Sequence, residues 1–460
     1  MNRHTTSGIL LLSHCGFSFL EDLIAVLNAR GMRSYVLSSL PLAEHRPQRL
    51  DDLRQKVTHL YSTEAHELTV GDINRTLHQL QSTGERVIAC ITVWEGYRRL
   101  MAHANAVLGV PDLTMAKIDG LRDKLALRNR LNDAGLSRLR AQLLTPEVME
   151  RFQASGGRYF VKPASGIASY GAFPLRAETT WSMIQRIQDE AKEDVIYRSM
   201  LNEAQTFLIE EYLVGSEFSF ELIVVDGHLY TVGIHEKCEV TETDLTVLEN
   251  TCTSPPYSID LAAVSSGIAW IRAMFEHLEL DWGCFHVEAR FDGERWDLIE
   301  INPRVGGSLI SNSVKAQNGE HGMLDLWVDL LTAHGVDSVS GVPHDGEAYI
   351  DRLSALSYTD DGASSTNKAT FFRVYFASPG TVAQVGVREM DPAPITTHIL
   401  LKTGDKIANT SREVFLGQLL WQLGREERDA ILPDLIRSSD GAIEIRYVQR
   451  KELILESARS

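Results

Sequence analysis

Blocks of apolar and polar residues alternate along the first 110 positions. Residues 9–13 read as a strand, 21–31 as an amphipathic helix closed by Gly31, 35–37 as a short strand, and 87–93 (VIACITV) as a strand apolar on both faces. Strands that are apolar throughout, separated by helical stretches, predict an α/β lobe around a parallel sheet. Further on, the spacing predicts one helix over 114–134 with Gly135 as its stop. A strand (159–162), a small-residue loop and a helix (181–190) follow. Residues 207–212 and 217–225 read as strands, and Asp226-Gly227 turns the chain into a third, 229–235. Residues 251–258 read as a loop and 261–278 as a helix. Then 285–291 and 296–302 form a hairpin across Asp292-Gly293. Residues 337–346 read as a linker into a strand-rich region, where 371–376 and 397–401 are predicted strands and 412–423 a predicted helix. No repeat or low-complexity tract interrupts this order.

Composition narrows the class. A chain of 460 residues has room for about three domains. Its 44% hydrophobic and 23% charged content is that of a globular protein rather than a disordered one. The net charge of −17 repels phosphate backbones, so nucleic acid is not expected as a partner. A small anion held by a local cluster of Lys and Arg remains compatible with it. No window approaches about 18 uninterrupted apolar residues, so no membrane span is predicted. The apolar run 9–12 is too short for a signal peptide and no small-x-small site follows it, which leaves a buried first strand. The five cysteines lack metal-ligand spacing, so neither zinc nor a disulfide scaffold is expected, and a reducing cytoplasm is. The first strand-to-helix turn lacks GxGxxG, so no dinucleotide fingerprint is present.

The densest chemistry lies in HVEARFDGERWDLIEINPRVGG, residues 286–307. With Phe291 placed opposite Asp297, Glu288 falls opposite Glu300, β-carbons about 5 Å apart. Strand alternation puts Asn302 on the same face as Glu300. Two such carboxylates repel unless a cation sits between them. With an Asn oxygen they form a hard donor set suited to Mg²⁺ and substrate phosphates. The second feature is FVKPASGIASYG, residues 160–171. A strand delivers Lys162 to a loop whose small residues let backbone N–H groups approach phosphates, although no GK[ST] ending makes it a Walker A loop. Third is LIEEYLVGSEFSFE, residues 208–221. Its break at Val214-Gly215 would expose backbone near Tyr212 and Leu213 to a nucleobase edge. Each of these three taken singly has an ordinary structural reading: a solvated hairpin face, a turn, an acidic hairpin.

In combination they are more specific. Lys124, Lys162 with its loop, EEYLVGSE, and then Glu288, Glu300 and Asn302 occur in the order in which ATP-grasp enzymes present their parts. The chain resembles an ATP-grasp ligase over about residues 1–335. Within that superfamily, EINPRVGG followed by FFRVYFASPGTVAQVGV is most similar to the L-amino acid ligases, which make dipeptides. The resemblance implies an α/β (α+β) ATP-grasp fold. Residues 1–113 would be an N-terminal α/β domain. Residues 114–335 would be the ATP-grasp domain, with a small subdomain to about 210 and a larger catalytic one from about 211. Residues 345–460 would be an α+β region completing the catalytic domain.

It also implies roles. Lys124 and Lys162 would bind ATP phosphates, under a loop containing Ser165, Gly166, Ser169 and Gly171. Glu210 would hold the adenine amino group with backbone at Glu211, Tyr212 and Leu213, and Glu217 would hold the ribose. Glu288, Glu300 and Asn302 would bind Mg²⁺, two ions in all, with Mn²⁺ as a substitute. Arg304 would stabilise charge at the reacting oxygens. Gly306, Gly307 and Ser308 would face the substrate, with the small Ser308 leaving room for a larger acid. His235 or Glu221 would take the amine proton, with His321 a weaker candidate. The implied reaction joins a carboxylate and an amine through an acyl phosphate in a cytoplasmic homodimer. Ligases of nucleotide precursors, bicarbonate carboxylases and a non-catalytic ATP-binding regulator are the alternatives.

Overall fold

The computed structural model describes residues 7–17, 19–43, 47–166, 170–196, 205–243, 246–333, 346–408 and 414–448. Ser169 and all of the expected linker except Gly346 lie outside these residues, as does the segment after 448.

Four strands open the chain: β1 (Ser7–Ser13), β2 (Arg33–Ser38), β3 (His59–Ser62) and β4 (Arg86–Ile91). They form a parallel sheet in the order β3-β2-β1-β4. Leu10 and Leu11 on β1 and Ile91 on β4 are fully buried, which is why these strands read as continuous apolar runs. Next come β5 (Ala141–Leu143), β6 (Tyr159–Pro163), β7 (Phe173–Pro174) and β8 (Phe207–Glu211), a small antiparallel sheet in the order β5-β8-β6-β7.

The large sheet takes in β9 (Ser216–Val225), β10 (His228–Glu242), β11 (Val247–Ser254), β12 (Gly283–Phe291), β13 (Trp296–Asn302) and β14 (Lys368–Ala377). The remaining strands are β15 (Gly380–Val387), β16 (Thr396–Ile399), β17 (Lys406–Ile407), β18 (Val414–Gly424) and β19 (Ile443–Tyr447). The large sheet runs β13-β12-β9-β10-β11-β14-β18-β16, while β17-β15-β19 form a small sheet beside it. Three strands from beyond residue 345 therefore continue the same hydrogen-bonded sheet that carries Glu288 and Glu300.

Three sequence expectations change. The helix over 114–134 is two helices, Met115–Arg122 and Lys124–Asp133, broken at Asp123. Asp123 caps the second helix through the Ala126 amide, and the Lys124 amide bonds the Ala164 carbonyl across the cleft wall. Residues 251–254, expected as loop, belong to β11, paired on one side with β10 and on the other with β14. The segment read as a helix over 412–423 is strand from Val414 onward, held between β14 and β16. Its run VFLGQLLWQLG is apolar on both faces because both faces are covered, and periodicity cannot separate such a strand from a buried helix.

Candidate functional site

The β12–β13 register sets Glu288 opposite Glu300 and His286 opposite Asn302. Beyond Glu288 a bulge moves the pairing by one, so Phe291 meets Trp296 rather than Asp297. Asp297 is instead buried, accepting hydrogen bonds from Ser137 Oγ (2.7 Å) and Arg138 Nε (3.1 Å). The two facing carboxylates are each partnered. Glu288 meets His286 Nε2 at 3.1 Å and Lys237 Nζ at 3.2 Å, while Glu300 pairs with Lys124 and accepts from Asn302 Nδ2 at 2.8 Å. Burial pushes both carboxyls up. The Lys237 and His286 charges overcome it and hold Glu288 well below the carboxylate range, and Lys124 does the same more weakly for Glu300.

Lys162 on β6 reaches Glu210 Oε1 on β8 at 2.6 Å, and Arg128 Nε meets the other oxygen at 2.9 Å. Burial raises the Glu210 carboxyl, yet the two cations bring it down to about 2. Lys162 is shifted down by burial, with Glu210 opposing and Arg128 and Lys124 adding to the shift. A further anion such as a phosphate would stabilise its charge.

After β8 the chain bends. The Tyr212 ring is met by the guanidinium groups of Arg158 (4.1 Å to the centroid) and Arg290 (5.3 Å). Arg290 also donates to the Leu213 carbonyl at 2.6 Å and to Glu217 at 3.0 Å. Glu211 is exposed on the outer side. Gly215, at φ +104°, is required here, since a β-carbon would sit 2.1 Å from the Phe291 carbonyl oxygen.

These residues surround a cleft of about 800 Å³, its open mouth included. From the sequence-predicted set it brings together Lys124, Lys162, Gly166, Glu210, Tyr212, Leu213, Glu217, Glu288 and Glu300. Ser165, Gly171 and Asn302 stand behind the lining. Ser165 bonds the Arg122 carbonyl at 3.3 Å, and Gly171 backs on Ile187 and Phe207. Arg304 lies past the end of β13, paired with Glu95 of the N-terminal lobe at 3.0 Å. Gly306 packs on His286, where an added β-carbon would be 2.6 Å from Nδ1, whereas Gly307 has open space. Ser308, at φ +55°, donates to Gln418 Oε1 of β18 at 2.6 Å.

The histidine expectations need correction. His235 is fully buried, its Nε2 2.8 Å from Ser313 Oγ and its Nδ1 3.5 Å from Glu221, so it cannot meet an incoming amine. Glu221 is likewise enclosed: burial raises it, but His286 and His235 hold it at about 2. His321 lies at the turn before the helix Met323–Ala333, hydrogen-bonded to Asn318 and away from the cleft lining. Sequence reasoning missed Lys237, Glu249, Arg290, Arg128, His286 and Glu95. Burial raises the Glu249 carboxyl to about 7 despite its ion pair with the buried Lys237. Glu249 lies in a stretch, 236–250, that the sequence reading assigned to no element, so it had no face. The alternation of β10 against β9, with Lys237 paired to Glu217, was the one signal for Lys237.

Among the described residues no group of three or more His, Cys, Asp or Glu is placed to hold a metal ion. The available set is the facing pair Glu288 and Glu300, both on the cleft surface, with Asn302 behind. Asn302 donates its amide N–H to Glu300, so its oxygen is what it has left for a cation. Hard oxygen donors of this kind, too few to enclose an ion alone, fit Mg²⁺ shared with phosphate oxygens.

Residues 158–312 match the family model described as an ATP-grasp domain. The chain carries an ATP-grasp domain. Its fold matches that of solved ATP-grasp structures along nearly its whole length. An L-amino acid ligase from Bacillus licheniformis superposes with a TM-score of 0.67 at 15% identity, covering 96% of this chain and 100% of that one. A phosphoribosylglycinamide synthetase from Anaerococcus prevotii gives 0.61 at 13%, covering 96% and 100%. A carboxyaminoimidazole ribonucleotide synthase from Aspergillus clavatus, complexed with ATP, gives 0.52 at 12%, covering 95% and 99%. None of the curated proteins matches. The ATP-grasp fold of this chain is thus the mixed α/β one expected, with its cleft between the β5–β8 sheet and the β9–β13 part of the large sheet.

Proposed function

We propose that this protein is an ATP-dependent carboxylate–amine ligase that joins an amino acid, or an acid like one, to an amine. The observation that carries the reading is one cleft lined by the buried Lys162, the half-buried Lys124 and the facing pair Glu288 and Glu300. The likeness to a Bacillus licheniformis L-amino acid ligase supports the choice of substrate class.

In this reading the adenine lies beside Phe160, Tyr212 and the Leu213 backbone, and the ribose beside Glu217. Lys162 and Lys124 meet the phosphates. Mg²⁺ held by Glu288, Glu300 and Asn302 would neutralise the phosphate oxygens and help the γ-phosphoryl leave. The substrate carboxylate attacks the γ-phosphorus and the bond to ADP breaks, giving an acyl phosphate. The amine nitrogen then attacks the acyl carbon, loses a proton, and inorganic phosphate departs. Negative charge grows on oxygen in both steps, and in this reading Arg304 and the lysines receive it.

The test is turnover with ATP, Mg²⁺ and a matrix of amino-acid pairs, followed by nucleotide analysis and mass spectrometry. ADP and phosphate, dependent on two substrates and matched by a product mass equal to their sum less water, is the expected result. ADP formed with bicarbonate alone would favour a carboxylase, and AMP with pyrophosphate would overturn the acyl phosphate.

A further inference from the structure

The proposed reaction needs Arg304 at one fixed place, and two of its three side-chain hydrogen bonds go to the N-terminal lobe rather than to its own domain. Arg304 Nε and Nη2 both donate to a single oxygen of Glu95, at 3.2 and 3.0 Å, and Nη1 donates to the Val305 carbonyl at 3.0 Å. A guanidinium has five N–H donors. Three are used here, and two remain, one on each terminal nitrogen, for the oxygens of a substrate.

Glu95 lies 209 residues away in sequence, in the short 3-10 turn Glu95–Tyr97 that follows β4 of the N-terminal lobe. Arg98, which follows this turn and opens the helix Arg98–Leu108, acts on the same place. Arg98 Nε donates to the Pro303 carbonyl at 2.7 Å, fixing the peptide that precedes Arg304. Arg98 is itself anchored by two hydrogen bonds to Asp112, at 3.1 and 2.7 Å, and by Trp327 beneath its guanidinium. Both Glu95 and Arg98 are buried, so water does not loosen either contact.

We infer that the N-terminal lobe positions the reactive arginine of the ligase domain, with Glu95 orienting the Arg304 side chain and Arg98 fixing its backbone. Glu95 is a positioning residue: it sets the plane of the guanidinium and leaves two donors for the substrate. The lobe then acts on catalysis without supplying a group to the reacting atoms. This inference rests on the ligase reading for the chemistry it serves, though not for the geometry it describes.

The experiment compares full-length wild type with E95Q and E95A. Glutamine keeps an acceptor oxygen and removes the charge, and alanine removes both. Binding of a non-hydrolysable ATP analogue with Mg²⁺, by calorimetry, is expected to stay within about twofold, while kcat for the pair found in the amino-acid matrix falls about tenfold in E95Q and about 100-fold in E95A. E95D should recover part of the loss. A mere contact between lobes would instead lower analogue affinity and thermal stability together with kcat, and that result would overturn the proposal. A second measurement stands apart from turnover: the ¹⁵N-edited Nε–H signal of Arg304, assigned by its loss in R304K, should exchange slowly in wild type and faster in E95Q. An unchanged signal would refute the clamp. Should wild type turn over no pair in the matrix, the ligase reading fails, and this signal still decides whether Glu95 holds Arg304.

Discussion

The charged cleft and the N-terminal lobe are built on opposite principles. The centre of the lobe's sheet is apolar, with Leu10, Leu11 and Ile91 fully buried. The cleft is a lattice of enclosed charges: Lys162 with Glu210 and Arg128, Lys124 with Glu300, Lys237 with Glu249 and Glu288. Apolar burial contributes stability directly, at about 25 cal/mol per Å². Enclosed ion pairs contribute little net stability, because desolvation offsets their attraction. They are useful where charge must be in place before an anionic substrate arrives. The difference implies that substitutions in the cleft cost activity and substitutions in the lobe core cost folding.

The largest effect that would break this contrast is at the facing carboxylates. E288Q and E300Q should each reduce ATP turnover by about 1000-fold. Their melting temperatures should move by less than about 4 °C. Collapse of the fold in either variant, seen by circular dichroism, would show that the pair is structural first. The mirror experiment is Leu10→Ala, which should lower the unfolding free energy by about 2–5 kcal/mol in urea titrations. Nucleotide-analogue affinity, measured where the variant is folded, should remain near that of wild type.

A smaller effect is expected at Lys162. Replacing it with Met leaves Glu210 to Arg128 alone and removes one phosphate donor, so analogue affinity should fall about 10–100-fold by calorimetry. Arg128 still neutralises Glu210, and folding should change little. An undiminished affinity would place the phosphates elsewhere in the cleft.

What the sequence made legible follows from how far apart partners lie. Glu288 and Glu300 were readable because hairpin register couples neighbours in sequence. The register argument reached the right pair although the bulge after Glu288 shifts the rest by one. Lys162 and Glu210 were readable as motif residues, but not as partners of each other and of Arg128. Glu95 could not be found at all, since nothing local marks a glutamate whose partner is 209 positions on. The fold behaved likewise. Alternating segments of the first lobe were plain, whereas β18, covered on both faces, looked helical until its neighbours were known.

The smallest effect sharpens the comparison from the lobe's side, where one charged cluster does occur. Glu85 accepts from Tyr35 Oη at 2.6 Å, lies 3.1 Å from His59 Nε2 and pairs with Arg33. Burial would raise its carboxyl, but these three partners bring it down to about 2. Glu210 in the cleft is brought down equally far, although it is fully buried and burial opposes the shift, by the cations Arg128 and Lys162. A carboxyl whose folded pKa lies below its unfolded one stabilises the protein above the unfolded value and loses that contribution as pH falls through the folded one. The Glu85 contribution is therefore complete near neutrality and fades from about pH 5 to about pH 2. Because Glu85 lies at the rim of the sheet, with Arg33 well exposed, the amount is about 1 kcal/mol or less. Urea unfolding of wild type and E85Q between pH 6 and pH 3 measures it. The two stabilities should converge as the pH drops, with E85Q the flatter curve. Parallel curves would mean that Glu85 does not titrate with folding, and that acid sensitivity resides in the cleft.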